Sequence, residues 1–194
     1  MVLFRVESGE IEEYTPYTQI MPTGKYREYL DTIPTDDNRY SKVVIVTTLA
    51  KVQGTDIRLT GLFLFGELKD ALIFSSKMYH GNSIIYMVEP SGDVLYKGDM
   101  NTLDALTTAI KLGLHKISNR DLFEGFCRKY WKRGKTYSPC YEYIVTQATV
   151  QRVICTKEEC NMFHHEYSDN TATSFLSVER SSVYRQKINE VYDQ

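Results

Sequence analysis

The acidic residue that could best support chemistry is Glu142, which lies in a predicted strand over Tyr141–Gln147. Side chains alternate between the two faces of a strand. Glu142 therefore shares one face with Ile144, and the opposite face carries Tyr141 and Tyr143. A carboxylate that shares a face with an apolar residue lies at the mouth of the strand or is held for a purpose, and the alternative is an edge carboxylate in water. Both interpretations remain open.

Arg5 is a second candidate, because it is the charged residue of the apolar segment Val2–Val6, which is predicted to be a strand. An arginine near a strand terminus commonly lies at a sheet edge with its head group in water. Alternatively it points into a cleft, where its planar guanidinium can hold a phosphate or a carboxylate through two parallel hydrogen bonds.

Thiols and imidazoles occur close together in the sequence at Cys155, Cys160, His164 and His165. These groups are zinc ligands, but the gap between the cysteines is loose and no second paired-cysteine motif accompanies it. We therefore expect no bound metal. Because Cys127 and Cys140 lie far away in the sequence, all the cysteines are predicted to be reduced thiols of a cytoplasmic protein.

A basic cluster, Lys132, Arg133 and Lys135, ends a predicted helix that begins at Ser118. Cations there stabilise the negative end of the helix dipole, which is enough to explain them. The alternative is contact with phosphate, which makes nucleic acid a candidate partner. The chain contains no phosphate-binding loop motif, no dinucleotide-binding glycine motif and no nucleophile elbow.

The overall composition is that of a soluble globular protein. The 194 residues are 42% hydrophobic and 25% charged, with a formal net charge of −2. This length suits one domain with its own core, and the small net charge provides no general attraction to nucleic acid or anionic membrane. No apolar stretch approaches the ~20 residues of a membrane span, and the N-terminus does not resemble a signal peptide. We expect a cytoplasmic protein without membrane contact.

The elements that would position these residues centre on Gly61–Asn101. Leu62–Phe65 is short and bulky enough for a buried strand, and the apolar residues of Glu67–Tyr79 have helical spacing. A second apolar strand is predicted at Ser83–Val88 and ends at the turn Pro90–Asp93.

Outside this block, helices are predicted at Lys25–Leu30, at Thr102–Leu112 with Asn101 as a cap, and from Ser118, and a strand is predicted at Val150–Thr156. Ser41–Gln53 is ambiguous, because its β-branched residues favour a strand while its apolar spacing equally permits a helix. Residues 157–194 are a polar extension, in which Val178–Tyr192 forms a terminal helix or the tail is partly mobile.

The central block resembles a known enzyme family. The segment Ile84-Ile85-Tyr86-Met87-Val88-Glu89-Pro90-Ser91-Gly92, preceded by Leu62–Phe65 and an alanine-containing helix, is similar to the central segment of rifampin ADP-ribosyltransferases. It more distantly resembles the mono-ADP-ribosyltransferase superfamily, which includes bacterial toxins. The resemblance implies an α+β fold with a split, mainly antiparallel sheet and surrounding helices over residues 1–156, followed by the extension.

The resemblance also implies site residues. Arg5 would hold NAD phosphates, as an arginine does in toxin-type members, whereas rifampin enzymes have histidine there. Glu142 corresponds to the late acid that contacts the nicotinamide ribose. Asp99 matches an Asp-x-Asn loop of rifampin enzymes and is the second candidate catalytic carboxylate. The aromatic candidates for stacking on nicotinamide or adenine are Phe63, Tyr79 and Tyr86.

The central strand departs from the family pattern, because Leu64-Phe65-Gly66 stands where toxin-type enzymes carry Ser-Thr-Ser. Phe63, which corresponds to an aromatic residue of rifampin enzymes, has no hydroxyl. The resemblance therefore supports the fold more strongly than the substrate.

The implied activity is mono-ADP-ribosyl transfer with NAD as co-substrate. Cleavage of the bond between nicotinamide and ribose gives an oxocarbenium-like transition state, which a nearby carboxylate can stabilise. The acceptor stays open among protein, nucleic acid and small molecule. Water as acceptor would give an NAD glycohydrolase, and a related fold performs RNA 2′-phosphotransfer. The alternative of a different class is a non-catalytic module that binds a nucleotide or a protein.

Overall fold

The computed structural model describes residues 1–168 and 176–192, so part of the predicted extension lies outside the described residues. The chain divides into two compact units, each assembled from segments that are distant in sequence. The first contains Met1–Ile20, Leu64–Gly92 and Gln147–Gln194, and the second contains Met21–Phe63 and Asp93–Thr146. Both contain helices and antiparallel strands, which confirms the α+β class.

The strands of the first unit are β1 (Leu3–Ser8), β2 (Gln19–Ile20), β4 (Ser83–Pro90), β7 (Ala148–Cys155) and the end of β3 (Leu62–Phe65). β1 pairs with β3 on one side and with β4 on the other, in a register that places Arg5 opposite Tyr86. β4 also pairs with β7, and β7 pairs with β2. The register of β4 against β7 shifts on both sides of the pair Tyr86–Met87, so the backbone is irregular where it presents Tyr86.

The helices of the first unit are α4 (Leu68–Tyr79), α7 (Lys157–Ser168), α8 (Leu176–Arg180) and α9 (Ser182–Tyr192). α4 contacts β1 and α7, and its Leu68, Ala71 and Leu72 are buried. α7 contributes Cys160 and Phe163, which are fully buried. The contacts therefore place β7, α7, α8 and α9 within the first unit, and α8 and α9 occupy the region of the predicted terminal helix.

The second unit contains α1 (Lys25–Asp31), α2 (Tyr40–Gln53), α3 (Ile57–Thr60), α5 (Thr102–Lys111), a 3₁₀ turn (Ile117–Asn119), α6 (Arg120–Trp131), β5 (Val94–Asp99) and β6 (Tyr141–Val145). β5 and β6 are antiparallel, with Gly98 opposite Glu142. Tyr96 and Ile144 on one face of this pair join the core that includes Leu49, Leu106 and Phe123.

The ambiguous segment Ser41–Gln53 is helical, because it forms most of α2. Ile45 and Leu49 pack into the core beneath β5 and β6, while Val46 packs with Leu30 and Ile33 in a separate cluster. A helix can bury neighbouring residues on two sides in this way, and burial then outweighs the β-branched composition. Among the described residues, no helix combines the length and apolar character needed to cross a bilayer.

Candidate functional site

Glu142 lies on the buried face of β6 and is 2% exposed. Its Oε1 accepts hydrogen bonds from Nη1 of Arg58 at 2.6 Å and from the hydroxyl of Tyr130 at 2.7 Å. Nη1 of Arg58 also donates to the hydroxyl of Tyr130, at 2.5 Å. The three side chains therefore form one buried network within the second unit.

The elements around this network fix its geometry. Arg58 belongs to α3, which approaches β6 so closely that a Cβ on Gly61 would meet Cγ2 of Ile144 at 2.2 Å. Only glycine permits that approach without displacement. Tyr130 is held by α6 and by Tyr96, whose hydroxyl donates to the Tyr130 carbonyl oxygen at 2.5 Å.

The electrostatics of the network keep Arg58 charged. Burial alone lowers the pKa of Arg58, but the negative charge of Glu142 opposes that effect and the pKa is raised overall. Burial also raises the pKa of Tyr130, and although the charge of Arg58 lowers it, the phenol stays protonated and donates to Glu142. A charged guanidinium at 2.6 Å makes the contact with Glu142 a buried ion pair.

Aromatic rings surround the ion pair. Cζ of Arg58 lies 4.9 Å from the ring centroid of Phe63 and 5.4 Å from that of Tyr130. The ring of Tyr26 meets Phe63 edge-on, with centroids 6.0 Å apart. Phe63 and Glu142 thus both contact Arg58, so the structure brings these two predicted site residues together.

The two side-chain hydrogen bonds of Glu142 converge on one oxygen. Both use Oε1, and Oε2 accepts none from the residues that the structure describes. A carboxylate fixed through one oxygen and walled by aromatic rings can stabilise a cation that reaches the other oxygen.

Arg5, in the first unit, lies on β1 with its side chain 20% exposed. Its Nε donates to Oε1 of Glu7 at 2.7 Å. Tyr86 lies opposite Arg5 in register, and the Tyr86 hydroxyl accepts a hydrogen bond from the backbone amide of Tyr14 at 3.1 Å. The ring centroids of Tyr14 and Tyr86 are 5.4 Å apart, so two tyrosine rings lie near Arg5.

Tyr79 also lies near Arg5 and Glu7. We call these five residues the Arg5 cluster: Arg5, Glu7, Tyr14, Tyr79 and Tyr86. Burial raises the pKa of Tyr79, the charge of Arg5 lowers it and the charge of Glu7 raises it. The pKa of Tyr14 is likewise raised by burial and by the charge of Glu7 and lowered by the charge of Arg5. The structure therefore brings together three predicted residues, Arg5, Tyr79 and Tyr86, within the first unit.

Asp99, the second candidate carboxylate, is 1% exposed and its oxygens accept four hydrogen bonds. Oδ1 accepts from the amides of Asn101 and Cys140, and Oδ2 accepts from the amide and hydroxyl of Thr136. These contacts join the end of β5 to the segment that precedes β6. Both carboxylate oxygens of Asp99 are used in these structural contacts, so Glu142 is the better candidate for a catalytic carboxylate.

Burial and hydrogen bonds characterise the cysteine and histidine side chains that were considered as zinc ligands. The four cysteines are free and buried. Burial, the largest cause, raises the pKa of Cys127 to about 12. Nδ1 of His164 lies 2.8 Å from the hydroxyl of Ser76. Across the described residues, no group of three or more metal-ligating side chains is arranged to hold an ion.

Sequence reasoning did not single out Arg58, Tyr130 or Tyr26. Arg58 lies 84 positions from Glu142 in a four-residue helix whose sequence carries no motif. A buried arginine is uncommon, but its burial becomes apparent only when α3 is placed against β6. Compared with known proteins, the chain matches no family model and no curated protein sequence.

Proposed function

We propose that this chain catalyses NAD-dependent mono-ADP-ribosyl transfer. The observation that carries the proposal is the carboxylate of Glu142, which is paired with Arg58 through Oε1 while Oε2 accepts no hydrogen bond from the described residues. In the resemblance to ADP-ribosyltransferases, Glu142 corresponds to the acid of a late strand that contacts the nicotinamide ribose.

The chemistry requires a negative charge that is in place before the glycosidic bond breaks. As that bond breaks, positive charge develops on the ribose, and a preorganised carboxylate stabilises it without reorganising. Arg58 and Tyr130 provide the preorganisation, since they fix Oε1 at 2.6 and 2.7 Å. Phe63 and Tyr26 supply aromatic surface suited to a flat, cationic ring.

For the first unit, taken by itself, the resemblance implies that Arg5 binds phosphate groups of NAD. An arginine can hold phosphate oxygens through its planar fork of donors. Its neighbour Tyr79 supplies ring surface of the kind that nucleotides stack against. Tyr86 was predicted to stack as well, but it is 1% exposed, so its ring is covered by the fold and is not available to a nucleotide.

The test is to incubate the purified chain with NAD and measure both melting temperature and released nicotinamide. Saturating NAD is expected to stabilise the fold, by about 2.7 kcal/mol at a 100-fold excess over Kd. Binding with nicotinamide release supports the enzyme, whereas binding without release indicates a non-catalytic module. No thermal shift and no heat of binding at millimolar NAD contradicts the proposal.

Arg5→Lys is expected to weaken NAD binding by about tenfold, because lysine keeps the charge but loses the paired donors that hold a phosphate. The measurement is the NAD concentration that gives half of the maximal thermal shift. Arg27→Lys is the matched control, because Arg27 lies outside the Arg5 cluster and its side chain is 49% exposed. Equal NAD affinity in Arg5→Lys and the control would remove Arg5 from the proposed site.

A further inference from the structure

One face of the β5–β6 pair combines cations with tyrosine rings. Lys97 of β5 and Tyr141 and Tyr143 of β6 alternate with Gly98 and Glu142, so they lie on the face opposite Glu142. Lys97 is exposed, Tyr141 is half-buried and Tyr143 is 8% exposed. Lys135 and Tyr137 precede β6 in the sequence. We call Lys97, Lys135, Tyr137, Tyr141 and Tyr143 the tyrosine–lysine face.

The two ammonium groups of this face share one ring. Nζ of Lys97 lies 5.0 Å from the centroid of Tyr141 and 4.9 Å from that of Tyr143. Nζ of Lys135 lies 5.8 Å from the centroid of Tyr141. Cation–π contacts thus hold two like charges near the same point on the surface.

These charges have no acidic partner on the face. Within residues 1–168 and 176–192, Lys97 and Lys135 form no ion pair, and neither do the adjacent Lys132 and Arg133. Asp99, which faces Tyr141 in register, is buried and its oxygens are occupied by four donors. Positive charges that are held together without a counter-ion favour the binding of an anion.

Tyr137 adds a ring that is available for stacking. It is fully exposed, at 106% of its reference area, and lies two positions after Lys135 in the sequence. An exposed aromatic ring close in sequence to an unpaired cation matches what single-stranded nucleic acids require, which is cations for the phosphates and ring faces for the bases.

We propose that the tyrosine–lysine face binds single-stranded nucleic acid. Lys97 and Lys135 contact phosphates, and Tyr137 stacks on a base. An anionic membrane would use the same cations but would also require apolar side chains that insert, and the exposed ring of this face carries a hydroxyl. The inference does not depend on ADP-ribosyl transfer, because it concerns binding alone.

The test is fluorescence anisotropy with labelled oligothymidylate and oligouridylate of about 16 nucleotides. Lys97→Gln/Lys135→Gln is expected to reduce the slope of log affinity against log salt by about 1.4, because two phosphate contacts are lost. Tyr137→Ala is expected to weaken binding by about fivefold or more, whereas Tyr137→Phe keeps the stacking ring and the affinity.

Lys25→Gln/Lys77→Gln is the matched control, since it removes the same charge from two exposed lysines outside the face. Each variant is first checked for a native melting transition. The proposal is overturned if the wild type binds neither oligonucleotide at low salt, or if the control variant loses as much affinity as Lys97→Gln/Lys135→Gln. It is also overturned if the face binds phosphatidylserine vesicles and not oligonucleotides.

Discussion

Replacing Glu142 with glutamine is expected to lower the free energy of unfolding by about 3–5 kcal/mol. The two side chains are nearly isosteric, and sequence reasoning alone would predict an intact fold. The structure changes that expectation, because Arg58 is 7% exposed and would remain buried without its anionic partner. Urea unfolding, followed by tyrosine fluorescence and by circular dichroism, measures the loss.

Two further variants identify the cause. Arg58→Met/Glu142→Gln removes both charges and keeps an apolar stem beside Phe63, so it is expected to recover most of the lost stability. Asp56→Asn makes the same acid-to-amide change in the exposed pair with Arg27 and is expected to cost less than about 1 kcal/mol. A Glu142→Gln protein as stable as Asp56→Asn would show that the buried pair does not support the fold.

Turnover of NAD is expected to fall by about 10²–10³-fold in Glu142→Gln, measured as nicotinamide release per folded molecule. The amide keeps the shape of the carboxylate but not the charge that faces the ribose cation. Because that interaction strengthens as the bond breaks, the substitution is expected to change kcat more than KM.

The double variant separates the catalytic role of Glu142 from its structural role. If Arg58→Met/Glu142→Gln recovers stability and stays inactive, the missing charge is what turnover needs. Wild-type turnover in a folded Glu142→Gln or in the double variant would show that another carboxylate acts. Asp99→Asn would then be examined, although its four hydrogen bonds make a loss of stability the expected result there.

The sequence predicted the strands and helices whose apolar periodicity is strong, including β1, α4 and β4. It also placed Glu142 on the same face as Ile144, and both are buried. It did not predict α7, because the apolar residues that α7 buries, such as Cys160 and Phe163, are few among polar neighbours. The periodicity of apolar residues along one helix or strand indicates only which of its side chains are buried.

The partners of Glu142 could not be predicted for a different reason. Arg58 and Tyr130 reach it only through the packing of α3 and α6 against β6, and no local pattern encodes that packing. Asn101 shows the same effect on a smaller scale. It is the N-cap residue of α5, as expected, but its side chain makes no capping hydrogen bond, and its Nδ2 donates to the carbonyl oxygen of Ser138 at 2.8 Å. The packing of distant elements therefore decides which hydrogen-bond partner a side chain has, and the local sequence does not.

The alternation of segments between the two units has a consequence for synthesis on the ribosome. All segments of the second unit have been made once Thr146 has left the exit tunnel. In the first unit, β4 is synthesised well before its neighbour β7 at Ala148–Cys155. A nascent chain therefore carries an unpaired edge of β4 until Ala148–Cys155 has been made, and such an edge is open to pairing with other chains.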